Sequence, residues 1–203
     1  LLNALAGFIQ PTNGKILLKG NEIQGPGPDR AVVFQDDAVF PWLSVEDNIA
    51  YSHKIKSTYG DKEKELVKNY INLVGLEDFK KAWPRQLSGG MRKRVDLARA
   101  FAAEPELLLM DEPFGALDIM TKEKLQEELR KFWVERPRTI VFITHDVEEA
   151  VFLGDKVIVM TPRPGRIDLI IEPNLSKNRD MSIKSDSVFF DNVKKIRQRI
   201  KDH

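Results

Sequence analysis

Apolar positions along the chain follow two alternating rhythms. Short apolar runs at 31–34 (Ala-Val-Val-Phe), 107–110 (Leu-Leu-Leu-Met), 139–144 and 156–160 predict strands. The run at 107–110 is apolar throughout, as expected of a strand covered on both faces. Residues 15–19 and 166–171 complete the predicted strands, with turns at 11–14 and at Gly20-Asn21 and a Pro/Gly loop at 25–28.

Between 36 and 103 the rhythm becomes helical. Ser44-Val45-Glu46-Asp47 resembles a capping box and opens a helix to about Ser52. A second helix over 61–74 carries Val67, Tyr70, Ile71 and Val74 and ends at Gly75, and a third follows Ser88-Gly89-Gly90 to about Ala103. Further on, Leu125, Leu129, Phe132 and Trp133 mark one face of a helix over 121–135. Helices are also predicted over 146–153 and over 187–201, the latter with Val188, Val193, Ile196 and Ile200. Strand alternating with helix in the second half argues for a mostly parallel sheet with helices on its faces. The first six residues, Leu1-Leu2-Asn3-Ala4-Leu5-Ala6, are helix-forming and stop at Gly7, so they read as the back of a helix.

Composition narrows the function classes. The chain has 203 residues, enough for one domain with a subdomain. A formal charge of +1 gives no bulk electrostatic argument for nucleic-acid binding. The absence of cysteine excludes disulfides and thiolate metal sites. No apolar run is long enough to span a bilayer.

Candidate chemistry collects at the predicted strand ends. The strand 107–110 delivers Asp111 and Glu112 to its C-terminal end, where open α/β sheets bind ligands. There Asp111 suits Mg²⁺ and Glu112 suits orienting or deprotonating a water, although the pair equally fits a solvated strand end before Pro113. Ser88-Gly89-Gly90 at a helix start suits a phosphate, or equally an ordinary serine cap after a flexible loop. His145 and Gln35 each follow a strand in the same way, and each by itself also fits a turn residue.

Taken in order, these pieces form a pattern. Gln35, Leu87-Ser88-Gly89-Gly90, Leu107-Leu108-Leu109-Met110-Asp111-Glu112-Pro113, Gly115-Ala116-Leu117-Asp118 and Ile143-Thr144-His145-Asp146 resemble, motif by motif, the ATP-binding subunit of ABC transporters. They correspond to the Q-loop, the signature, the Walker B strand with its glutamate, the D-loop and the switch histidine. Phe40-Pro41-Trp42-Leu43-Ser44-Val45-Glu46-Asp47-Asn48 and Pro162-Arg163-Pro164-Gly165 are similar to the branch that imports nitrate, sulfonates and taurine.

The resemblance implies an α/β fold: a P-loop NTPase-like ABC ATPase core with a mostly parallel sheet plus a helical subdomain. It divides the chain into a remainder of the N-terminal core (1–35), a helical subdomain (36–103), a RecA-like core (104–172) and a C-terminal extension (173–203). ATP and Mg²⁺ are the implied cofactors. Glu112, His145 and Gln35 are the implied catalytic residues, with Asp111 and Gln35 near the metal. Leu87, Ser88, Gly89 and Gly90 would hold the γ-phosphate of ATP bound on a second copy, and Asp118 would link the two sites. Implied partners are that second subunit, a transmembrane permease and, indirectly, a solute-binding protein, with the chain peripheral on the cytoplasmic side of the membrane. Phe40, Trp42 and Leu43 would meet the permease, while Trp42 equally fits the subdomain core.

Two rival classes are less compatible. Chromosome-maintenance members need a long coiled coil between Q-loop and signature, for which the interval from Gln35 to Ser88 is too short, and translation-type members need a second cassette. A catalytically dead binding module is the third reading. The sequence departs from the family in one respect that matters: no G-x-x-x-x-G-K-[ST] phosphate loop occurs in it. Because Glu112 and His145 are retained, the expectation is an N-terminally truncated chain that binds ATP weakly or not at all. Lys93 stands where the family often has Gln, and the resemblance gives no account of Asp96.

Overall fold

A computed structural model describes residues 1–115, 117–135 and 137–202. The chain forms two compact units, Leu1–Asp118 with Arg138–Val141, and Ile119–Pro137 with Phe142–His203.

The first unit opens with α1 (Leu2–Leu5). Gly7 then turns the chain at φ 82°, and a Cβ there would lie 2.3 Å from the Gly25 carbonyl oxygen, so both backbone and space demand glycine. A small antiparallel hairpin, β1 (Leu17–Leu18) and β2 (Asn21–Glu22), pairs Leu18 with Asn21. Its turn is therefore Lys19-Gly20, one residue earlier than the sequence suggests. Both residues have positive φ, 49° and 83°, the conformation that matches strand twist in two-residue hairpins.

Strands β3 (Arg30–Val33) and β4 (Leu107–Asp111) are parallel, with Val33 opposite Met110. Together with β5 (Thr139–Ile143) they make a three-stranded sheet in the order β3-β4-β5. Leu107 through Met110 are all buried, as a doubly covered strand requires. Helices α2 (Val45–Ile55), α3 (Asp61–Leu73) and α4 (Gly89–Ala102) pack on one another. Ile49, Val67, Ile71, Val95 and Phe101 are buried among them. The predicted capping residue Ser44 accepts a hydrogen bond from the Asp47 N–H at 3.1 Å. Fully buried Asn48 binds the preceding loop by donating to the carbonyls of Phe40, Leu43 and Ser44 and accepting from the Phe40 N–H. Burying an amide is tolerable only with its hydrogen bonds made, and here they are.

The second unit contains α5 (Ile119–Glu135), α6 (Val147–Leu153), β6 (Val157–Met160), β7 (Ile167–Ile171) and α7 (Ser187–Lys201). Strand β6 pairs with β7 in an antiparallel ladder, so strand–helix alternation does not carry β6 into the β3-β4-β5 sheet among the described residues. The connecting turn at 161–166 contains the cis Arg163–Pro164 peptide. Thr161 Oγ1 accepts from the Arg166 N–H and donates to the Pro164 carbonyl there, each at 3.0 Å. On α7 the inward stripe is Phe189, Val193 and Ile196. Val188 and Ile200, expected inside, are 46% and 50% exposed: one precedes the stripe, the other lies in the last turn beyond it.

The C-terminal segment has a structural task. Arg179 donates to the carbonyls of Phe152 (2.7 Å) and Gly154 (2.9 Å), and Arg130 of α5 donates to those of Leu153 (3.0 Å) and Lys177 (2.8 Å). Two arginines thus satisfy the carbonyls that α6 leaves open at its C-terminus. Burial and the neighbouring Arg130 push the Arg179 guanidinium down to about 10, against the pull of Asp155.

Candidate functional site

Parallel pairing of β3 and β4 is what gathers the first group of predicted residues. With Val33 opposite Met110, the chain leaves β3 through Phe34 and Gln35 on the same sheet edge where β4 ends at Asp111 and Glu112. Both acids are half-buried. Glu112 has φ 44°, a left-handed conformation that costs a non-glycine residue about 1–2 kcal/mol. The Gly115 N–H donates to its carbonyl at 3.2 Å, closing a tight turn over buried Phe114. Asp118 follows as an exposed residue at the end of the unit, while Ala116 of the predicted D-loop lies outside the described residues.

The second group opens α4. Leu87 is buried and anchors the approach, whereas Ser88 and Gly89 are exposed. Ser88 caps the helix by accepting from the Met91 N–H at 3.2 Å. No acidic residue stands in the first turn, so the helix itself supplies no carboxylate against the positive end of its dipole. A Cβ on Gly89 would meet only the Arg92 side chain, at 3.8 Å. Packing therefore does not require glycine at this position.

Further along α4 lie residues whose placement the sequence does not reveal. Lys93 and Asp96 are 2% and 1% exposed. The Lys93 ammonium donates to the carbonyls of Phe34 and, at 3.0 Å, Gln35. Burial lowers its proton affinity, and the Asp96, Asp37, Asp36 and Asp111 carboxylates oppose that shift. Burial likewise raises the Asp96 carboxyl above its ordinary value, against the pull of Arg99, Lys93 and the Ala38 backbone. Arg99 contacts Asp96 at 2.6 Å and donates to the Ala38 carbonyl at 2.8 Å. Arg92 pairs with Asp37 at 3.0 Å and donates to the Leu87 carbonyl at 3.0 Å. The available sequence signal was a lysine and an aspartate three apart on a helix that carries Val95, Leu97 and Ala98 beside them.

In the second unit His145 is exposed where the chain passes from β5 to α6. Both of its neighbours are fixed. The Asp146 N–H donates to Thr144 Oγ1 at 2.9 Å, and Asp146 Oδ1 caps α6 by accepting from the N–H groups of Glu148 (3.0 Å) and Glu149 (3.3 Å). Lys122 of α5 reaches Asp146 at 2.8 Å and Glu149 at 3.1 Å, and Gln126 donates to Glu149 at 2.8 Å. Burial pushes the Asp146 carboxyl up, but Lys122 and the two N–H donors outweigh it and leave it below the ordinary carboxylate value. Lys122, like Lys93, reads in the sequence as an ordinary surface lysine.

Trp42 does not fill the subdomain core: it is 64% exposed. Its ring lies 5.5 Å from that of Phe40, which packs on Tyr51 at 4.4 Å and under the Arg99 guanidinium at 4.6 Å. Beside it a groove of about 450 Å³ is lined by Leu43, Asp47, Tyr51, Lys54 and Ile55. No helix among the described residues is long and apolar enough to cross a membrane.

Comparison with known proteins bears on the family. Residues 1–115 match the ABC transporter family. The chain is 46% identical over 202 residues to the uncharacterized ABC transporter ATP-binding protein MJ0412 of Methanocaldococcus jannaschii, covering all of this chain and 74% of that protein. It is 50% identical over 167 residues to the taurine import ATP-binding protein TauB of Rhizobium johnstonii, covering 82% of this chain and 64% of that one. Among solved structures, the ATP-binding cassette MJ0796, a dimer in a post-hydrolysis state with ADP and phosphate, superposes with a TM-score of 0.67 at 30% identity, over 77% of this chain and 73% of that one. The chain belongs to the ABC transporter family, in its class of ATP-binding ATPases.

Proposed function

We propose that the chain is the ATP-hydrolysing subunit of an importer for a small sulfonate, taurine or nitrate-like anion. The observation that carries this reading is the parallel β3–β4 register with Val33 opposite Met110, from which one strand runs on to Gln35 and the other to Asp111 and Glu112. In this reading Glu112 orients and deprotonates the attacking water, and Gln35 senses the nucleotide. His145 holds the γ-phosphate from a backbone fixed on both sides. Phosphoryl transfer asks the protein for position and charge more than for covalent chemistry, and these residues supply both.

The α4 N-terminus serves ATP held by a second copy of the chain. No packing contact explains glycine at position 89. Close approach of a phosphate to open N–H groups does explain it. Asp118 joins the two sites of such a pair. The dimeric form of the cassette with ADP and phosphate supports the pairing.

Among the described residues no cluster of three acids or histidines could hold a metal unaided. That fits Mg²⁺, which binds one or two carboxylates and completes its shell with water and substrate phosphates. Asp111 and Gln35 would hold it, where it would neutralise phosphate charge. These 203 residues contain no phosphate loop, so alone they bind ATP weakly.

Exposed Trp42, with Phe40 and Leu43, is the surface for the membrane permease on the cytoplasmic side, and a solute-binding protein delivers the anion to that permease. The relatives named for taurine import support the anion class. Uptake of radiolabelled taurine, alkanesulfonates and nitrate by cells lacking the gene tests this. The wild-type gene restores uptake of one of these anions and Glu112→Gln does not; restoration by Glu112→Gln contradicts the proposal.

A further inference from the structure

Arg92, Lys93, Asp96 and Arg99 recur at i, i+1, i+4 and i+7 and so share one face of α4. Their partners outside the helix converge on one short segment. Lys93 holds the carbonyls of Phe34 and Gln35, Arg92 holds the Asp37 carboxylate, and Arg99 holds the Ala38 carbonyl. Asp96 is the counter-charge within the row, 2.6 Å from Arg99 and one turn from Lys93. This grip is costly to build. Desolvating a lysine and an aspartate is unfavourable until pairing offsets it, and apolar residues would pack a helix against a strand at less cost. Charged donors give what apolar residues cannot, a fixed direction and distance to carbonyls that have left the β3 ladder.

The helix that carries this row also carries Ser88, Gly89 and Gly90 at its tip. Beyond Gly90, α4 runs to Ala102 without glycine or proline, so it has no built-in hinge between tip and row.

We propose that Lys93 and Asp96 are positioning residues that clamp the Gln35 segment to α4, so that Gln35 and the Ser88–Gly90 tip move as one body. A change at Gln35 on one nucleotide would then displace the tip that serves the nucleotide of the second copy. The catalytic meaning of this clamp rests on the ATPase reading above, but the clamp itself requires no nucleotide.

Hydrogen exchange of the unliganded chain tests it through a pair of variants. Lys93→Met and Lys93→Gln are close in volume and both uncharged, and only glutamine keeps N–H donors. Lys93→Met is expected to raise exchange across residues 34–40 at least about tenfold, leaving α2 and α3 at wild-type rates, and Lys93→Gln to restore most of the protection. Asp96→Asn, which keeps the side-chain shape, is expected to raise exchange at residues 38–40 severalfold. Three results would overturn the proposal: wild-type exchange over 34–40 in Lys93→Met and Asp96→Asn, equal exchange in the methionine and glutamine variants, or a rise spread evenly over α2, α3 and α4. Uptake supported by Glu112→Gln would defeat the ATPase reading while leaving these exchange rates unaffected, so the two failures are distinguishable.

Discussion

Two helices begin at candidate functional residues, and their N-termini are built in opposite ways. At α6 three acids crowd the first turn: Asp146 accepts from two N–H groups, and Glu148 and Glu149 follow it. At α4 there is no acid, the cap is the neutral hydroxyl of Ser88, and the first charged residue is Arg92. The same macrodipole is therefore spent internally at α6 and left available at α4. An anion approaching α4 meets open N–H groups and an unneutralised helix end. One approaching α6 meets carboxylates. The difference teaches that a helix N-terminus becomes useful to a phosphate only where the sequence withholds its own anions.

The most damaging change to this contrast is to give α4 the anion it lacks. Gly89→Asp leaves the fold intact, because the space in front of residue 89 is open, and it adds about 0.3–1 kcal/mol of favourable helix-dipole energy. In the proposed importer complex, hydrolysis is nevertheless expected to fall at least about 100-fold, the scale for loss of a preorganised phosphate contact. Glu148→Ala, which removes charge at α6, is expected to leave hydrolysis within about twofold, because the first-turn N–H groups there already donate to Asp146. Similar losses in the two variants would erase the distinction.

Stability sharpens the same contrast at smaller scale. Asp146→Ala removes a cap with two N–H partners and the Lys122 ion pair, and should cost about 2 kcal/mol in urea unfolding. Ser88→Ala removes one exposed cap bond and should cost nearer 0.5 kcal/mol. The smallest effect is in the acid range. Because the folded Asp146 carboxyl lies below its ordinary value, its contribution is complete above about pH 4 and is lost as pH falls through the folded value. Asp146→Asn should flatten stability against pH below about pH 4, whereas Ser88→Ala should leave that slope unchanged.

Much of this was legible in the sequence. The order of Gln35, Ser88-Gly89-Gly90, Asp111-Glu112 and His145 pointed to the family, and apolar spacing located every major helix within a few residues. What stayed hidden was partnership. Alternation cannot show that β6 pairs antiparallel with β7, because both pairings bury the same faces. A turn residue reads as a strand residue when the glycine beside it fits either of two turn positions, as at Lys19-Gly20. Asp96 and Lys93 count as polar in any periodicity, and only their partners, the carbonyls leaving β3 for Lys93 and the Arg99 guanidinium for Asp96, make them interior residues. Asn48 is hidden for the same reason, since its three acceptor carbonyls belong to the loop before it.

The central claim, that the Ser88–Gly90 tip of one subunit completes the site whose Glu112 belongs to another, is open to a mixing experiment. Gly89→Asp and Glu112→Gln subunits are each assembled into the native complex, separately and together, and ATP hydrolysis is measured. Each variant alone should be inactive. A mixed pair contains one site with an intact tip from one subunit and an intact glutamate from the other, so hydrolysis should recover well above either parent. If the mixture stays as inactive as the separate variants, the tip and the glutamate serve the same subunit and the claim fails.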